Sequence, residues 1–114
     1  MVQPKIATIS VNFDEAYSAS KNNYDVLEVL LSKIDETLEE KLMVIRELAY
    51  PLPVVARLTA SDIQSLHPLL QMLAVAGLQK IIINNASPEL IREAEHSNRE
   101  KRLGLSFDLL AIAS

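Results

Sequence analysis

The sequence predicts an α/β fold: one small domain whose mostly parallel, four-stranded sheet is built in the order β-α-β-α-β-α-β. Three observations lead there. Val54-Val55-Ala56-Arg57-Leu58 and Ile81-Ile82-Ile83 are short, almost continuous apolar runs, the signature of strands buried in a parallel sheet. Between them Ile63, Leu66, Leu69, Leu70, Leu73 and Ala76 recur at three- and four-residue steps, the period of a helix with one buried stripe. Finally, 114 residues with 49% hydrophobic and 23% charged types suit one globular domain and are too apolar for a disordered chain.

The elements follow in order. Lys5 to Asn12 alternates apolar and polar residues with β-branched types, so a half-buried first strand is expected. Phe13 to Asn23 is small and polar and reads as a turn-and-cap connection. From Tyr24 to Ala49, Leu27, Leu30, Leu31, Ile34, Leu38, Leu42, Ile45 and Leu48 fall on one helical stripe. This first helix is long. It would run about 39 Å, against about 20 Å for a six-residue strand. Either it breaks near Asp35-Glu36-Thr37, or it overhangs the sheet and needs a partner subunit.

Pro51 and Pro53 stop that helix, since neither donates a backbone hydrogen bond. After the Val54–Leu58 strand, Ser61-Asp62-Ile63-Gln64 fits a capping box, with a kink expected at His67-Pro68. Gly77-Leu78 is a left-handed helix stop. Ser87 caps the third helix, Pro88 takes its first position and Glu89 sits near its positive end. It is expected to end near Leu103-Gly104. Leu105, Phe107 and Leu109 alternate with polar residues in a last strand whose direction is left open. No second domain or linker is expected within these residues.

Composition excludes several kinds of chemistry. With no Cys there is no thiol catalysis or thiolate metal site, and two His with no metal-ligand spacing leave no metal expected. Both glycines, Gly77 and Gly104, read as helix stops, so no Gly-rich phosphate loop and no cofactor is expected. A net charge of −4 and scattered aromatics argue against nucleic acid as a partner. The first residues hold no signal peptide, and the longest apolar runs fall short of the ~20 residues that span a bilayer. A cytoplasmic protein without membrane attachment is the expectation.

In open α/β sheets ligands sit outside the carboxyl ends of the strands, beside helix N-termini. That edge should carry Asn12 and Asp14, then Arg57 and Thr59, then Asn84, Asn85 and Ser87. Arg57 interrupts an aliphatic strand, and its planar fork suits a carboxylate or phosphate. A purely structural Arg57, paired with a carboxylate such as Asp62 or Asp14 or snorkelling to solvent, is the commoner fate of such a residue. Asn84 and Asn85 end a strand and tolerate left-handed backbone, and Ser87 is explained as a cap.

The segment from Val54 to about Asn98 resembles the element order of STAS domains, the anti-sigma-factor antagonist family. The correspondence is a buried strand, an Asp-led helix start at Asp62-Ile63-Gln64-Ser65, a helix, the Ile81–Ile83 strand and a helix opened by Ser87-Pro88. Gln64 stands where that family has its phosphoacceptor Ser, and the family's Gly is absent. The resemblance therefore implies a regulatory domain without the phosphoacceptor.

Two functions are expected from these readings. The first is a non-enzymatic regulatory, scaffold or accessory module that acts through protein contacts and self-association as a homo-oligomer, because three helices leave part of one sheet face bare. The second is a binder of a small anionic ligand, or a modest enzyme, using Asn12, Arg57 and Asn84.

Overall fold

The computed structural model describes residues 4–111 apart from Gln79. Five strands, β1 (Ile6–Ile9), β2 (Val26–Leu31), β3 (Val54–Thr59), β4 (Lys80–Ala86) and β5 (Ser106–Ala111), alternate with four helices. The helices are α1 (Phe13–Ser20), α2 (Leu38–Ala49), α3 (Leu66–Val75) and α4 (Pro88–Glu100). Every pairing is parallel and the strands lie in sequence order, β1-β2-β3-β4-β5. The single parallel α/β domain stands as expected. The count does not: there are five strands and four helices where four and three were predicted, and the last strand is parallel.

The error lies in the first half of the chain. The long helix from Tyr24 to Ala49 does not exist: Val26–Leu31 is a strand, a loop follows, and α2 begins at Leu38. Val-Leu-Glu-Val-Leu-Leu is apolar at every position but one, so helical and buried-strand periods fit it alike. Length removes the ambiguity. Twelve residues of α2 span about 18 Å and match a six-residue strand, so nothing overhangs. The stripe's Leu38, Leu42 and Ile45 are buried in the core.

Phe13–Ser20, read as a turn-and-cap connection, is α1. Asn12 accepts from the Glu15 amide at 2.9 Å, and the Glu15 carboxylate reaches back to the amide (3.2 Å) and hydroxyl (3.0 Å) of Ser10. Two alanines, Ala16 and Ala19, are its only fully buried residues, so it shows no apolar stripe.

With strands in sequence order and right-handed crossovers, each helix lands on the same face of the sheet as the one before it. Burial alternates accordingly. Leu27, Val29, Leu31, Ala56, Leu58, Ile81 and Ile83 point into the helix layer and are buried. The intervening residues point the other way, where no helix lies: Ile6 and Thr8, Val26, Glu28 and Leu30, Val55, Arg57 and Thr59, then Lys80, Ile82 and Asn84. Residues on this second face range from Glu28, Val55 and Ile82, sheltered by their neighbours, to open Ile6 and Leu30.

Adjacent helices are tied at their ends. Arg46 of α2 donates to the Ala76 carbonyl just past α3 at 3.2 Å. Gly77 (φ 90°) closes α3, with Leu78 bonded back to Leu73 at 3.0 Å, as the sequence led one to expect. The end of α4 differs from expectation. The helix stops earlier, at Glu100: Arg102 (φ 52°) as well as Gly104 (φ 71°) takes a left-handed conformation, and Leu103 bonds back to Asn98 at 3.0 Å. The Asn98 side chain then clamps Leu105 through two hydrogen bonds, 2.8 and 2.9 Å, aiming the chain into β5.

Candidate functional site

A ligand crevice in an open α/β sheet arises where the strand order reverses and neighbouring helices splay to opposite faces. Here the order never reverses, so the predicted rim is not gathered into one crevice. Asn12 and Ser87 are occupied as helix caps, Ser87 accepting from the Leu90 amide at 3.1 Å. Asp14 is exposed in the first turn of α1. Asn85 takes a left-handed conformation (φ 57°) where the β4–β5 register shifts. Thr59 stands opposite Asn84 in register.

Arg57 and Asn84 are joined through their side chains, on the open face of the sheet. The Arg57 Nη1 donates to the Asn84 side-chain oxygen at 3.0 Å. The expected carboxylate partners, Asp62 and Asp14, are replaced by Glu28 of β2, whose carboxylate accepts from Arg57 Nε at 2.7 Å. Register explains the choice. Arg57 lies opposite Leu30 and Glu28 two residues earlier on the same side, so a long side chain crosses diagonally. Glu28 is 9% exposed and Arg57 30% (side chains), so the carboxylate is shielded and the guanidinium half-open. Reading Glu28 as a helix surface residue hid this pairing in the sequence.

A cavity of about 640 Å³ opens at the carboxyl ends of β2 and β3. The Ser32–Asp35 loop forms one wall, Ser61, Asp62, Gln64 and Ser65 form the other, and Pro68, Leu69 and Met72 of α3 close the base. None of these was a candidate in the sequence. The sequence pattern places Ser32 to Asp35 in a helix and Ser61 to Gln64 in a capping box. That box is not made: Ala60–Asp62 is a 3-10 turn, α3 starts at Leu66, and Ser65 makes no side-chain cap. The kink expected at His67-Pro68 is replaced by this separate turn, with Pro68 inside the first turn of α3.

Asp35 orders its own wall. Its carboxylate accepts from the Thr37 hydroxyl at 2.6 Å and the Thr37 amide at 2.9 Å. These bonds, the hydroxyl's foremost, hold its pKa below the ordinary carboxylate value. The cavity lining thus offers three hydroxyls, one ammonium (Lys33), two carboxylates and an amide above an apolar base, and no histidine. That set can hydrogen-bond a small polar molecule.

Among the described residues no cluster of three or more His, Asp or Glu could hold a metal ion, and no helix is long and apolar enough to cross a membrane. His96 pairs with Glu100 at 2.8 Å on the exposed side of α4. No protein-family model matches the chain, and no curated protein matches it.

Proposed function

We propose that this chain is a non-enzymatic module, regulatory or accessory in role, that acts through protein contacts made by the helix-free face of its sheet. One observation carries the reading: a five-stranded sheet with all its helices on one side, and with Leu30 (42% exposed) and Ile6 (49% exposed) set in the other. Large aliphatic side chains held open on a rigid sheet are what a protein partner covers. The second reading, a small anionic ligand at the predicted rim, is weakened because Arg57 is already engaged by Glu28 and Asn84 and because Asn12 is a cap.

A photo-crosslinking residue placed at Leu30 tests this in the producing cells, with the same residue at Val75 on the helix layer as the control. Protein adducts should form from position 30 and not from position 75. Adducts absent from 30, or equal from both, would remove the proposal.

A further inference from the structure

Away from the helix-free face, we infer a ligand site in the cavity beyond the carboxyl ends of β2 and β3, suited to a free α-amino acid with an apolar side chain.

Loop length sets this place apart. The connection from β2 to α2 takes residues 32–37 and that from β3 to α3 residues 60–65, six each. Three residues, 10–12, join β1 to α1, and Ser87 alone joins β4 to α4. Because β2 and β3 are neighbours, the two long connections stand side by side with the cavity between them. Loops carried on rigid strands at their carboxyl ends are where α/β domains hold ligands. At about 640 Å³ the space falls within the range of about 300–1,000 Å³ usual for small molecules.

The polar lining is open to a ligand. The side chains of Lys33, Ser61, Asp62, Gln64 and Ser65 make no hydrogen bond to other described residues. Asp35 bonds to Thr37 through Oδ1 alone, which keeps the carboxylate ionised and leaves Oδ2 open. Asn12, Arg57, Asn84 and Ser87 of the predicted rim are, by contrast, all engaged.

Charge and polarity together select the ligand class. Lys33 and Asp35 stand on one wall and Asp62 on the other. A simple anion would meet two carboxylates. A simple cation would meet the Lys33 ammonium and the amino end of α3, which starts at Leu66 with no side-chain cap and no acidic residue in its first turn. A neutral sugar would leave three charges unanswered. A zwitterion answers both signs: its ammonium lies against Asp62 and Asp35 Oδ2, its carboxylate against Lys33 and the first amides of α3. Below them Pro68, buried Leu69 and half-buried Met72 form an apolar base. An aliphatic or aromatic side chain rests there, and the pliable Met72 adapts to its shape.

Amide NMR of the nitrogen-15-labelled chain tests the inference. L-leucine, L-methionine and L-phenylalanine are each compared with the analogue lacking the carboxylate and the analogue lacking the ammonium, for leucine 3-methylbutylamine and 4-methylpentanoate. At least one amino acid should give saturable shifts at residues 32–35 and 61–67 at millimolar concentration, and its two analogues should bind about tenfold more weakly or less. Lys33→Gln and Asp62→Asn, both at exposed positions, should each weaken binding about tenfold. Should either variant unfold, the shift map of the unaltered chain still locates the site. No saturable shift from any of the three, an analogue that binds as tightly as its amino acid, shifts clustered away from the two loops, or binding unmoved by both substitutions would each overturn the inference.

Discussion

Alternate residues of the same five strands build two faces that obey different rules. Toward the helices stand Leu27, Val29, Ala56, Ile81 and Ile83, each fully buried and each packed by a helix that the next crossover supplies. Toward the open side stand Thr8, Leu30, Lys80 and Ser106, exposed, with Glu28 and Arg57 as an ion pair amid them. One face is specified by volume and the other by chemistry. A step of a single residue in register would exchange the two sets, which is why strand sequences with one covered face hold their register firmly.

The contrast can be broken most forcefully by truncation. Ile83→Ala on the covered face should cost about 2–5 kcal/mol in urea unfolding, and Leu30→Ala on the open face well under half of that. Similar losses at both positions would mean that the open face is covered in solution. Next comes the ion pair. Glu28→Ala should cost about 1–3 kcal/mol, since it strands the half-buried Arg57, whereas the double change Glu28→Leu with Arg57→Leu should be close to neutral. A coupling near zero in the cycle closed by the single variants Glu28→Leu and Arg57→Leu would show the two charges acting independently.

Two smaller effects sharpen the picture of the helix layer and its rim. Gly77→Ala should destabilise by about 1–2 kcal/mol, because its φ of 90° is left-handed and its Cβ would fall on the Arg46 guanidinium. Arg102→Gly, at a left-handed position without that crowding, should instead stabilise by about 0.4–1 kcal/mol, readable as a rise in Tm. The smallest effect belongs to Asp35. Its folded pKa lies below the ordinary value, so its contribution is present above that ordinary value and is lost as pH falls through the folded pKa. Carbon-13 titration of Asp35 should give a midpoint that rises toward the ordinary value in Thr37→Ala.

Half of this was legible in the residues. Val54–Leu58, Ile81–Ile83, Ser87-Pro88 and Gly77 announced their strands, cap and stop because each combines a local pattern with a local breaker. The first half lacked that agreement. Val26–Leu31 is apolar enough to satisfy two periods, and α1 buries only alanines, which mark no stripe. One signal does mark α1: Asn12 followed three residues later by Glu15 has the spacing of a reciprocal cap. Neither Glu28 beside Arg57 nor the cavity between Asp35 and Asp62 could be read, because both depend on β2 standing next to β3.

Each strand hydrogen-bonds only to strands adjacent in the chain, so no pairing in the sheet has to wait for distant segments to meet. Assembly can start at any one β-α-β unit and zip outward, and the entropy of closing loops stays small at every step. The same locality means that losses of protection from hydrogen exchange should begin at β1 and β5 and move inward one turn at a time.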